Sequence, residues 1–159
     1  MELERSRSDA TALIYGSATH PQLFGKVFFT QVPAGGVIVT AEVIGLPQES
    51  GFLGFHIHEV GDCTLPFDKT GNHYNPKGTS HPMHAGDLPS LLNNGGYAYL
   101  SFYDERFKIK DILGKSILIH SMRDDFTTQP AGDSGEKIGC GVIHGPAMKK
   151  DIHYADKTI

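Results

Sequence analysis

This chain must fold from short runs of branched and aromatic residues, each closed by glycine, proline or polar turn residues. TALIY (11–15), KVFFTQV (26–32), VIVTAEVIGL (37–46), GFHIHEV (54–60), YAYLSFY (97–103), a shorter run at 107–110, SILIHS (116–121) and IGCGVI (138–143) make about eight such runs. No window sustains a helical period for more than two turns. Glycine and proline, 19 and 9 of 159 residues, amount to about 18% of the chain against a usual ~12%. The second and third runs flank Pro33-Ala34-Gly35-Gly36, which predicts a hairpin. The set predicts an all-β fold, an eight-stranded antiparallel Greek-key barrel or sandwich. Two connections, 61–92 and 122–137, are too long to be plain linkers in a compact domain and are read as functional.

At 159 residues the chain fits one domain, 1–159, with termini at 1–10 and 149–159 expected to fray. Apolar residues at 39% and charged residues at 20% exclude a disordered or fibrous protein. No apolar run approaches the length of a membrane span. A formal net charge of −4 argues against a nucleic-acid binder that works by bulk positive charge. The opening MELERSRSDA has no apolar stretch of the kind a secretory leader carries, so a cytoplasmic location is expected. Cys63 and Cys140 are the only cysteines, and in such a compartment they read first as free thiols.

Nine histidines are present, and six lie between 56 and 120. His56 and His58, two apart on a strand, share one face, while Phe55 and Ile57 turn to the other. Paired imidazoles on one strand face are a ready chelate, although a lone pair of this kind is more often merely exposed. The following connection carries His73, His81, His84 and Asp87. Three imidazoles and a carboxylate suit zinc. His120 closes SILIH. If that run lies beside GFHIHEV, His120 joins His56 and His58 in an all-imidazole set suited to copper. His153, in the polar tail, has no assigned role.

Taken in order, GFHIHEVGDC, GNHYNP, HPMHAGDLP, SILIHSMRDD and KIGCGVI resemble the copper–zinc superoxide dismutase family over residues 11–147. The resemblance implies copper on His56, His58, His73 and His120, and zinc on His73, His81, His84 and Asp87, with His73 as the bridge. It implies that Asp124 ties a copper histidine to a zinc histidine, and that Cys63 and Cys140 form a disulfide. The implied activity is dismutation of superoxide to oxygen and hydrogen peroxide, and the implied assembly is a homodimer. Lys137 stands where the family usually has an arginine that attracts the substrate anion; lysine keeps the charge and loses the planar fork. Arg123 is a second candidate for that attraction. Leu53 stands where the family often has a histidine, and the 124–140 loop is shorter than in animal members. A copper-carrying module on the same fold is the main alternative. A zinc-only hydrolytic or structural protein is a weaker one.

Overall fold

The computed structural model describes residues 8–146. Nine strands run β1 Ala10–Gly16, β2 Phe24–Gln31, β3 Val37–Ile44, β4 Gly51–Leu53, β5 Phe55–His58, β6 Leu91–Asn93, β7 Ala98–Asp104, β8 Ser116–His120 and β9 Lys137–His144. Seven form one antiparallel sheet in the order β5-β8-β9-β1-β2-β3-β7, and β4 pairs with β6 in a small second sheet. The strands β4 and β5 are one run of chain interrupted at Gly54, so this run belongs to both sheets. The fold is therefore all-β, as its punctuated runs predict.

Alternation decides the inside. Along β2 and β3 every second residue is buried, with Val27, Phe29, Val39, Ala41 and Val43 turned to the core. The strands β5 and β8 break the pattern, since all their residues are buried. Phe55, Ile57, Ile117 and Ile119 face the main core, whereas Leu118 packs on the other side against Phe67 and Cys140. Two strands covered on both faces need a roof, and the two long connections supply it.

The structure corrects two expectations and adds two strands. Residues 107–110 are no strand: Phe107 is buried and Ile109–Ile112 form one helical turn, with the Asp111 carboxylate accepting from the Lys108 N–H at 3.0 Å. The apolar spacing 107, 109, 112 suits that turn better than an alternating strand. The three-residue strands β4 and β6 are too short to show any period. Residues 8–10 do not fray, since Asp9 N donates to Phe29 O at 2.9 Å and Asp9 Oδ2 accepts from Gln31 N at 2.7 Å. The tail from 149 and His153 lie outside the described residues.

Candidate metal centre

The site begins at the free edge of β5. Tyr74 N donates to Ile57 O at 2.8 Å, Ile57 N to Gly86 O at 2.9 Å, and Glu59 N to Asn72 O at 2.9 Å. These bonds sew two pieces of the 61–92 connection onto that edge. They also place His73 opposite His58 and Asp87 opposite His56. An edge that would otherwise invite another strand thus carries two chelating residues.

On the other side β8 pairs with β5, with His56 opposite Leu118 and His58 opposite Ser116. His120 N donates to Gly54 O at 2.9 Å, so His120 stands across from a residue without a side chain. A Cβ on Gly54 would meet Ser134 Oγ and crowd His56. A bulge in β8–β9 pairing shifts the register, so that Ile119 faces Gly139 while His120 faces Lys137. Bulges beside a site re-aim side chains, and this one sets Lys137 next to His120.

Two groups of donors result: His56, His58, His73 and His120 form one, and His73, His81, His84 and Asp87 the other. Within each, one ligand atom per residue lies within 4.8 Å of all the rest, and every member is buried. His73 belongs to both. Its ring centroid is 4.0 Å from that of His56 and 5.6 Å from that of His84.

The hydrogen bonds decide which nitrogen of each ring is free. Asp124 is buried, and its Oδ2 accepts from His56 Nε2 at 2.7 Å while its Oδ1 accepts from His81 Nε2 at 2.8 Å and from Phe126 N at 2.7 Å. A carboxylate only accepts, so both Nε2 atoms carry hydrogen and both Nδ1 atoms keep a lone pair. His58 Nδ1 donates to Gly71 O at 2.8 Å and His120 Nδ1 to Gly135 O at 3.3 Å, which leaves both Nε2 atoms with lone pairs. His73 Nδ1 donates to Asp87 Oδ1 at 2.7 Å.

Among the described residues, six buried nitrogens then have no hydrogen-bond partner: Nδ1 of His56, His81 and His84, and Nε2 of His58, His73 and His120. Leaving buried polar atoms unpaired is costly. Here they share a purpose: four of them belong to the first group. In the second, His81 Nδ1 and His84 Nδ1 approach Asp87 Oδ2 to 3.1 and 3.2 Å without hydrogen-bond alignment, as donors converging on one point. The all-imidazole group fits copper, and the three-imidazole, one-carboxylate group fits zinc.

Electrostatics support this reading. Burial holds His58 down to about 2 and His120 down to about 3, and it lowers His56 as well. The rings are neutral, as metal ligation requires. Burial pushes Asp124 up, but the bonds from His56, Phe126 N and His81 outweigh it and hold the carboxyl well below its usual range. Asp87 behaves likewise, with His73 prevailing over burial.

Lys137 is half-buried, and burial lowers its ammonium. Its Nζ donates to Thr70 Oγ1 at 2.8 Å, and its charge depresses His58 and His120. Arg123 is exposed beside Asp124. Leu53 is a buried core residue paired with Leu91 and belongs to neither donor group. Cys63 and Cys140 are joined in a disulfide that ties the 61–92 connection to β9; the free-thiol reading of these two residues is thereby overturned.

Three contributors carried no signal in the sequence. Gly132 (φ +71°) packs so closely that a Cβ would collide with Asp124 and His81. Gln129 and Arg106 grip the backbone of the zinc-side residues from outside the loop.

The sequence model described as copper/zinc superoxide dismutase matches residues 23–143. The chain belongs to that family. A Legionella pneumophila copper–zinc superoxide dismutase is 36% identical over 143 residues, covering 85% of this chain and 86% of that protein. An Arabidopsis thaliana copper–zinc superoxide dismutase is 33% identical, covering 90% and 94%. The human copper chaperone for superoxide dismutase is also 33% identical over 84% of this chain, which spans about half (52%) of that longer protein. Among solved structures, the clock protein EA4 superposes with a TM-score of 0.77 at 27% identity, covering 92% of this chain and 100% of that one.

Proposed function

We propose that this family member dismutates superoxide, two superoxide ions and two protons giving one oxygen and one hydrogen peroxide. The observation that carries the reading is the pair of adjoining donor groups sharing His73. Copper would be held by His56 Nδ1, His58 Nε2, His120 Nε2 and His73 Nε2. Zinc would be held by His81 and His84 through Nδ1, by Asp87, and by His73 once its Nδ1 gives up the proton it donates to Asp87 Oδ1. Copper supplies a one-electron couple that suits an all-imidazole set in either oxidation state, while zinc is redox-inert.

The chain's own residues do the rest. Asp124 holds His56 and His81 in the tautomers that leave Nδ1 free. Burial keeps His56, His58 and His120 neutral, so that their lone pairs stay available across the physiological range. When its Nε2 is not serving as a copper ligand, His73 can hold a proton at that atom, which faces the copper-side donors, and so place it beside the product. Lys137, next to His120, gives a net-negative protein a local positive charge toward which a small anion is drawn. Its single ammonium attracts without the two-point grip of a guanidinium.

The proposal includes a homodimer. Leu13, Tyr15, Phe28, Ile38, Ile44, Tyr99 and Tyr103 are exposed on the outer face of β1, β2, β3 and β7. The only charges among the outward residues of these strands are Lys26 and Glu42, cross-strand neighbours. A second copy can cover such a face and cross-pair those two charges. Sedimentation equilibrium with Lys26→Glu tests this: a dimer unaffected by the charge reversal, or a monomer at all concentrations, refutes it.

A second reading is that the chain carries copper without turning it over; the likeness to the human copper chaperone favours it. Pulse radiolysis of superoxide with chain loaded to one copper and one zinc separates the two. Decay first order in protein, at a rate constant independent of superoxide level, is the expected result. No decay beyond free copper, with both metals bound, would overturn the dismutase reading in favour of the carrier.

A further inference from the structure

Arg106 lies just after β7, at the opposite edge of the seven-stranded sheet from β5. Its guanidinium nonetheless ends on the zinc-side loop. Nη1 donates to His84 O at 2.9 Å and Nη2 to Asp87 O at 2.6 Å. On its other edge Nε donates to Asp104 Oδ1 at 3.0 Å and Nη2 to Asp104 Oδ2 at 2.6 Å. Asp104 is buried and also accepts from Arg106 N at 2.9 Å. The fork is therefore held on one side by a fixed carboxylate and spends its other side on two backbone carbonyls. Those carbonyls belong to two of the residues whose side chains converge on the zinc-side point. His84 O also accepts from Asp87 N at 3.1 Å, so the guanidinium clips shut the turn from His84 to Asp87. Gln129 does the corresponding work for His81: its Oε1 accepts from His81 N at 3.0 Å and its Nε2 donates to His81 O at 2.7 Å.

We propose that Arg106 is a positioning residue for the zinc-side donors, fixing the peptide planes of His84 and Asp87 so that imidazole and carboxylate converge. This rests on the zinc reading of that group. Rotation of either peptide swings the attached side chain, and a chelating set loses its purpose with displacements of about 0.5 Å. Only a planar fork reaches both carbonyls and the carboxylate together. Arg106 touches no copper-side donor, so its effect is confined to one metal.

The test compares the full chain with Arg106→Lys and Arg106→Gln. Lysine keeps a positive charge for Asp104 but reaches at most one carbonyl. Zinc affinity, read by competition with a chromophoric chelator, is expected to fall about 10–100-fold in both variants, while copper affinity at the all-imidazole group holds. Cobalt(II) placed at the zinc-side group is expected to show altered visible bands, reporting changed ligand geometry. A strut that merely stabilises the fold would lower the urea midpoint and leave these readouts unchanged in the folded fraction. Zinc bound equally by all three chains, or zinc and copper weakened together, would overturn the inference and leave the zinc reading intact. An unaltered chain that takes up no zinc would overturn both. Should Arg106→Gln not fold, Arg106→Lys carries the comparison.

Discussion

Replacing Asp124 with asparagine separates the two metals, and the direction follows from which oxygen serves which partner. Asp124 Oδ1 accepts two hydrogen bonds, from His81 Nε2 and Phe126 N, whereas Oδ2 accepts one, from His56 Nε2. Asparagine keeps one acceptor oxygen and gains a donor. Its stable orientation leaves the oxygen on the side with two donors, so Nδ2 then faces His56 Nε2–H, donor against donor. His56 escapes by moving its proton to Nδ1, and that proton occupies the lone pair that faces His58, His73 and His120. The copper-side group drops to three imidazoles and the zinc-side group stays complete. Loss of the supporting hydrogen bond corresponds to about 10–100-fold in copper affinity, or ~1.4–2.7 kcal/mol. The assay is parallel competition titration of the metal-free variant with copper and zinc chelators. Zinc weakened as much as copper, or neither affected, would refute the reasoning.

Three further outcomes are expected. The Cys63–Cys140 bond closes 77 residues; in the chain-entropy model its loss in the double serine variant costs about 4–5 kcal/mol, read as a lower urea midpoint, and an unchanged midpoint would show that the loops are held by packing alone. The metal-free protein loses stability in acid: burial depresses His58 to about 2 and His120 to about 3 from the ordinary value of 6.5. Their contribution is therefore complete above pH 6.5 and is lost as pH falls toward those folded-state values. For the two groups the loss between pH 7 and pH 5 is about 4 kcal/mol; urea unfolding at the two pH values checks it, and equal stability at both refutes it. Lys137→Ala slows superoxide decay by about tenfold and flattens its ionic-strength dependence, while Lys137→Arg keeps both; an alanine variant with unaltered salt dependence would remove Lys137 from substrate attraction.

Much of the site was legible because its first elements are local. The two-residue repeat of a strand puts His56 and His58 on one face and Phe55 and Ile57 on the other, and no distant contact can change that. The same repeat, punctuated by glycine and proline, determined an all-β fold. Elements without a period are invisible in the sequence: β4 and β6 span three residues each, and 107–110 reads as a short strand although Ile109–Ile112 form a helical turn, with buried Phe107 just before it and buried Ile112 at its end. The cysteine pairing and the role of Asp124 came from likeness to a family, not from spacing. What only the tertiary structure decided is non-local: that two segments of one long loop pair with the edge of β5 and bring His73 between two donor groups, that Asp124 reaches two rings from a second loop, and that Arg106 grips His84 and Asp87 from beyond β7. Those relations join residues from 13 to 68 positions apart. They arise when two buried strands must be roofed: the roofing chain accepts one N–H from each of His56, His58, His73, His81 and His120 and leaves the other ring nitrogen of each without a hydrogen-bond partner.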